Sequence, residues 1–310
     1  MSAPGTPNAE HGKQSAALTS VIAAFFQTGM KLVVGLLTGS LGILSEAAHS
    51  GFDLVAVVFT LFAVRMADKP ADSDHRYGHG KFENLSALFE TILLLATCGF
   101  ILYEACERLF FKDIKIDASI WAFLVMLVSI SIDISRSRML AHAAKKFNSQ
   151  ALEADAVHFH TDIWSSSVVL IGLVFVRLSD LSPRLEFLHE ADAVAAIGVA
   201  MIVIYISVQL GKRSLYALLD RAPAGMVQTV QAAIVDLPGV DNCHRVRVRP
   251  SGPGYFIDVH VIVDGKQTLE EAHALADLIE NTVQQIVPGA DVTVHPEPRP
   301  PAGKTHSDLV

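Results

Sequence analysis

Charge is scarce in this chain. Only 18% of its 310 residues are Asp, Glu, Lys or Arg, against 51% apolar, which is too greasy a balance for an ordinary soluble domain. The few charges sum to −8 with histidine neutral, and that balance argues against a nucleic-acid partner. Cysteine is scarcer still. Cys98, Cys106 and Cys243 form no CxxC pair, so there is no disulfide framework and a reducing, cytosol-facing setting is expected. No HExxH motif is present, and "LHEADA" from Leu188 only begins to resemble one, which weakens any reading as an intramembrane metallohydrolase. No secretory leader is visible at the start.

What the chain does have is long apolar stretches. Several reach the roughly 20 residues that cross a hydrocarbon core. Six spans are expected, at 15–38, 41–66, 85–110, 116–140, 151–178 and 191–210. The Thr38-Gly39-Ser40 link leaves room only for a tight hairpin between the first two. From about Gly211 charges and prolines return. There "AGMVQTVQAAIVDL" reads as an amphipathic helix stopped by Pro238-Gly239, "CHRVRVR" and "YFIDVHVIV" as a hairpin around "PSGPG", "TLEEAHALADLIENTVQQIV" as a helix and "DVTVHPEP" as a last strand. The expected fold is therefore a polytopic α-helical membrane protein of six transmembrane helices with a C-terminal cytosolic αββαβ two-layer domain. Its expected parts are a disordered tail at 1–14, the membrane domain at 15–213, a cytosolic α/β domain at 214–297 and a second disordered tail at 298–310.

Basic residues orient the spans. Lys13, the second-to-third connection (Arg65, Lys69, Arg76, Lys81), the fourth-to-fifth (Arg136, Arg138, Lys145, Lys146) and the segment after the last span (Lys212, Arg213, Arg221) share one side. The other side holds Arg108, Lys112, Lys115, Arg177 and Arg184. The positive-inside rule places both termini in the cytosol.

Two spans carry ionisable groups that a bilayer penalises. "LSEAAHSGFDLVAV" contains His49 and Asp53 at i, i+4, on one face of a helix. "ADAVHFHTDIWSS" repeats the arrangement with His158 and Asp162. Together the two pairs offer two imidazoles and two carboxylates, the ligand number and chemistry of a tetrahedral Zn²⁺ site. Two aspartates cancel the charge of a divalent ion. The competing reading is a pair of polar seams that hydrogen-bond helices together; two pairs at one spacing favour the metal. Imidazole titrates near neutral pH and a metal must displace its proton, so such a site couples metal affinity to H⁺. His160 points about 200° round the helix from His158 and is left out of the ligand set. Glu46, Glu90 and Asp133 lie near or within spans, as ion-path residues or as helix-packing and water-facing groups.

Further histidines cluster outside the spans. In "DSDHRYGHGKFE", Asp72, His75 and His79 converge if the segment is helical, whereas Gly78 and Gly80 argue for a loop. A second, exposed metal site and plain solvated histidines are both open readings. In the C-terminal domain His244, His260, His273, His295 and Glu297 are scattered. His260 shares a strand face with Phe256, Asp258 and Ile262, and His295 shares one with Glu297.

The H-x3-D pair in the second span, its repeat in the fifth, the D-x2-H-x3-H-G-K loop and the αββαβ domain, in that order, resemble the cation diffusion facilitator family from about residue 15 to 297. The resemblance implies a homodimeric exporter, embedded in the lipid bilayer, that moves divalent metal outward against protons. It matches His49, Asp53, His158 and Asp162 to the transport site and Asp72, His75 and His79 to a loop site. It matches His244, His260, His273, His295 and Glu297 to a regulatory zinc cluster at the domain's dimer interface. Glu297 stands where the family's structural prototype has aspartate, and so does His49; histidine at 49 resembles the zinc-type branch. Lys81 and Asp220 match a charged pair that interlocks the protomers.

The expected function is proton-coupled Zn²⁺ efflux by a secondary transporter, not an enzyme, in a bacterial inner membrane. Zn²⁺ is then both cargo and regulatory ligand, with H⁺ the counter-ion. Export of Fe²⁺, Co²⁺ or Ni²⁺, and a membrane-anchored sensor that binds metal without moving it, are the rival readings.

Overall fold

The computed structural model describes residues 7–110, 120–179 and 188–299. Six long helices come first: α1 (Pro7–Thr38), α2 (Leu41–Ala67), α3 (Lys81–Phe110), α4 (Ile120–Phe147), α5 (Gln150–Ser179) and α6 (Leu188–Leu218). They are followed by α7 (Met226–Val235), β1 (Asn242–Ser251), β2 (Gly254–Val263), α8 (Leu269–Ile286) and β3 (Ala290–Pro298). Two compact units result, Pro7–Leu215 and the part from Tyr216 onward. Both the helical bundle and the αββαβ order agree with the fold expected from sequence.

The helices differ from the expected spans mainly in length. α1 begins at Pro7, so 7–14, expected as tail, is helical; a proline suits a first turn, where its missing N–H has no partner to lose. Residues 1–6 and 300–310 of the expected tails, and 116–119 of the expected fourth span, lie outside the described residues. α4 runs on to Phe147, leaving only 148–149 before α5. Arg136, assigned above to that connection, is instead buried within α4. Lys13, counted among the basic residues of one side, is buried as well. Both find partners that make burial tolerable: Lys13 reaches Asp68 and donates to Glu83 at 2.9 Å, and Arg136 donates to Ser20 at 3.1 Å.

The hairpin between α1 and α2 is as tight as its three residues require. Gly39 adopts φ +66°, which a side chain would oppose, and Ser40 Oγ accepts the Ile43 amide at 3.4 Å to cap α2. Small residues let helices close in: Ala16, Ala17 and Ala24 of α1 pack with Ala143, Ala144, Ala151 and Ala156 of α4 and α5. A Cβ at Gly12 would lie 2.3 Å from the Phe147 ring, so a side chain there would have to displace that ring. α3 and α6 meet α5 through Ala87, Ala154 and Leu210.

Among the described residues, five of the six long helices are apolar and long enough to cross a membrane. α5 differs from the others in that its first half bears Glu153, Asp155, His158 and Asp162. That half is buried nearly all round, with Ala151, Leu152, Ala154, Asp155, Ala156, His158 and Phe159 inside. Its surroundings are protein, so polar groups there meet partners in place of lipid. Ile22, Phe25, Phe26, Leu37 and Phe52 point the other way, exposed on the outside of the bundle.

In the second unit β1 pairs antiparallel with β2, and β3 joins β2 in parallel through the α8 crossover. Ile257, Val259, Val261 and Val263 of β2 bury one face with Val230 and Ile234 of α7 and Ile279 and Val283 of α8. The alternate residues Phe256, Asp258, His260 and Ile262 line the opposite face. Thr268 and Glu271 form a reciprocal capping box that starts α8. The Arg299 guanidinium grips Asp241 with two donors, beside the start of β1.

Candidate metal centre

Three groups of metal-ligating side chains form among the described residues, each with its ligand atoms within 4.8 Å of one another. The first is Asp53, His158 and Asp162, inside the helical bundle. His158 Nε2 lies 3.2 Å from Asp53 Oδ1 and 3.6 Å from Asp162 Oδ2. The i, i+4 spacing stacks His158 and Asp162 on one face of α5, and α2 brings Asp53 against them.

His49 stands at the edge of this group. Its Nε2 is 3.9 Å from Asp53 Oδ2 and its side chain is 43% exposed. One turn of α2 separates it from Asp53. Its neighbours Glu46 and Ser50 are held by Lys31, whose ammonium donates to Glu46 Oε2 at 3.1 Å and Ser50 Oγ at 2.8 Å. His160 points away, its ring edge toward Trp164.

The back of the His158 ring is occupied too. Nδ1 lies 3.4 Å from Glu90 Oε2, and Glu90 accepts from Thr60 Oγ1 at 3.1 Å through its other oxygen. A carboxylate behind an imidazole favours a proton on Nδ1, which would leave the Nε2 lone pair for a cation held between the ring, Asp53 and Asp162. Glu90 was visible in the sequence only as an acidic residue within a span. Thr60 and Ser86, which also line it, carried no sequence signal. Asp133 lies apart from the three ligands, accepting from Gln27 at 3.1 Å beside Arg136.

The second group is Asp72, His75 and His79. The segment is a loop, not a helix: Gly78 has φ +74°, and the Gly78 amide donates to the His75 carbonyl at 2.9 Å. Convergence comes from an Asx turn. Asp72 Oδ1 accepts the backbone amides of His75 at 2.6 Å and Asp74 at 2.9 Å, which holds this carboxyl below the usual carboxylate range. His79 is buried, with Nδ1 beside the Pro70 carbonyl at 3.2 Å and Nε2 3.3 Å from Asp72 Oδ2. The ring thus offers one nitrogen to the cluster.

The third group uses strand register. His244 is paired with His260 across β1 and β2, and His260 with His295 across β2 and β3, so three imidazoles cross the sheet in one row. Glu297, two residues beyond His295, lies on the same face. Its carboxylate is 2.7 Å from His260 Nδ1, 3.4 Å from His244 Nε2 and 3.6 Å from His295 Nε2. His273 is not brought to this group. It sits on α8, which packs on the opposite face of the sheet, and it is exposed beside Asp277. Lys81 opens α3 in the first unit, whereas Asp220 sits in the turn after α6 in the second, with φ +58°.

A bundle of apolar helices around an imidazole–carboxylate group, followed by a small α/β domain with its own, defines a membrane protein that handles divalent metal. Residues 17–219 match the family model described as the cation efflux transmembrane domain, and 222–299 match that of the cation efflux protein, cytoplasmic domain. The chain belongs to this cation diffusion facilitator family of metal-efflux transporters. It is 32% identical over 288 residues to the cation-efflux pump FieF of Yersinia enterocolitica, covering 92% of each chain. It is 31% identical to that of Serratia proteamaculans over the same span, again 92% of each, and 29% identical to that of Pectobacterium atrosepticum, over 91% and 92%.

Proposed function

We propose that this protein exports Zn²⁺ from the cytosol in exchange for protons, as a homodimer working by alternating access. The observation that carries the reading is the approach of Asp53, His158 and Asp162 to within 4.8 Å inside the bundle. Mixed imidazole and carboxylate ligands suit Zn²⁺, and His49, one turn from Asp53, supplies the fourth. Two carboxylates neutralise the ion, so the loaded site carries no net charge through the bundle. Protons re-occupy the ligands when the ion leaves, because His158 binds either H⁺ or metal at the same nitrogen.

The remaining groups take supporting roles. Asp72, His75 and His79, on the loop joining α2 to α3, gather metal on the side from which it enters. His244, His260, His295 and Glu297 form a regulatory cluster on the open face of the sheet, and His273 joins such a cluster only from a second copy of the domain. Cytosolic zinc bound there tightens the dimer, and Lys81 and Asp220 interlock its halves. Both termini are cytosolic, in a bacterial inner membrane.

Zinc uptake into proteoliposomes driven by a pH gradient tests the reading. Asp53→Ala and Asp162→Ala should abolish the flux while the purified protein keeps its helical content and elution volume. Proton-driven flux unchanged in either variant would contradict it. Substituting Fe²⁺, Co²⁺ and Ni²⁺ in the same assay ranks the cargo; a faster flux of any of these would displace zinc.

A further inference from the structure

One buried carboxyl beside the metal group has no part in the ligand set. Asp155 of α5 is 1% exposed. Its Oδ2 accepts from Ser20 Oγ of α1 at 3.4 Å, and its Oδ1 is buried with no hydrogen-bond partner. Arg136 of α4 does not pair with it directly. The guanidinium lies over the Phe159 ring at 3.5 Å and donates to the same Ser20 hydroxyl at 3.1 Å, so a single hydroxyl separates the charges. Glu90 of α3 and His158 of its own helix are the other charged or titratable groups that face it. His158 is one turn away, with no hydrogen bond or ion pair between the two side chains.

The charges inside the bundle do not balance. Lys31 is engaged by Glu46, and Lys13 by Asp68 and Glu83. That leaves the carboxyls of Asp53, Glu90, Asp133, Asp155 and Asp162 facing the guanidinium of Arg136 and the imidazoles of His49 and His158. Even with both imidazoles protonated, two negative charges are left over. An uncompensated buried carboxylate is far more costly than a buried carboxylic acid, so without a divalent ion, protons must reside on carboxyls. Four of the five have close partners. Asp53 and Asp162 face His158, Glu90 accepts Thr60 and faces Nδ1, and Asp133 accepts Gln27 beside Arg136. Asp155 has only one long hydroxyl contact.

We propose that Asp155 is a proton-carrying group of the exchange: it holds a proton on Oδ1 when the metal group is empty and releases it when a divalent cation binds. Arrival of the ion brings two positive charges to the neighbouring turn. The Asp155 O–H bond then breaks, the proton leaves to cytosolic water, and the carboxylate stays, steadied by Ser20 and Arg136. When the metal departs on the other side, a proton from that side restores the acid. No second reagent is needed, since the balance is one proton taken from outside for each one given to the cytosol. The role rests on the proton-exchange reading above.

The test measures zinc and proton fluxes together in proteoliposomes, with a zinc indicator and a pH indicator, for the full-length protein and for Asp155→Asn. The carboxamide keeps shape and hydrogen bonding but cannot titrate. Zinc flux should continue at a reduced rate, with the number of protons moved per zinc lower by about one and a flatter pH profile. An unchanged ratio and profile would overturn the role of Asp155 while leaving proton exchange intact, whereas zinc flux without any proton flux in the unsubstituted protein would overturn proton exchange itself. If Asp155→Asn does not assemble, Ser20→Ala gives a second readout. Loss of the hydroxyl that favours the carboxylate should move the pH midpoint of flux upward, and an unmoved midpoint would count against the proposal.

Discussion

The group in the helical bundle and the one on the sheet are made of the same chemistry, histidine against carboxylate, yet their settings differ. Asp53, His158 and Asp162 come from two packed helices, with a further carboxylate, Glu90, behind the ring. His244, His260, His295 and Glu297 come from one row of strand register, on a face that no helix of the same domain covers. The His295 side chain is 63% exposed, against 5% for His158. The other members differ less: His244, His260 and Glu297 are 20%, 21% and 16% exposed, against 14% and 16% for Asp53 and Asp162. On the proposed function, the buried His158 ring and its carboxylates take up protons when the ion leaves. The contrast, on that proposal, is one between a site that alternates between two charged occupants and one that reports metal by binding.

The comparison can be broken most severely at the bundle. Asp162→Asn should remove metal flux altogether, checked by zinc uptake in vesicles. Glu90→Gln keeps the ligands but weakens the support of His158, and flux should fall by about 10- to 100-fold. Loss of two of the three imidazoles at the sheet, in His244→Ala/His260→Ala, should leave zinc flux at saturating metal measurable. It should, however, remove the zinc-dependent rise in thermal stability of the C-terminal domain, about 3 kcal/mol at a hundredfold excess over Kd. Calorimetry with and without zinc checks this. Thr268→Ala, which breaks the capping box of α8 away from either group, should cost only about 1 kcal/mol in denaturant unfolding.

A smaller effect still is set by pH. Arg299 donates to Asp241 and holds its carboxyl below the ordinary value. The folded value is the depressed one, so the stabilisation is full above the unfolded carboxylate value and is lost as pH falls through the folded one. Asp241→Asn should therefore flatten the acid limb of the thermal midpoint. An identical acid limb would remove this contact from the account.

How much of this was legible depends on the range over which each feature acts. The His49/Asp53 and His158/Asp162 pairs are local, one helical turn each, and sequence spacing carries that information. The αββαβ order was legible for the same reason, since alternation and turn residues are short-range signals. Glu90 was not, because its role is defined by a ring on another helix. The burial of Arg136 and Lys13 was not legible because their partners, Ser20 and Glu83, lie 116 and 70 residues away. The Asp72, His75 and His79 loop fell between these cases: its spacing was visible, but the Asx turn that gathers the three depends on backbone amides that no side-chain pattern records.

The central claim is that one buried imidazole–carboxylate group exchanges metal for protons. Simultaneous zinc and proton fluxes through the same vesicles test it most directly, for the unsubstituted protein and for Asp162→Asn. The account predicts opposed fluxes that stop together in the variant. Zinc movement that persists in Asp162→Asn, or that proceeds without a proton flux in the unsubstituted protein, would contradict it.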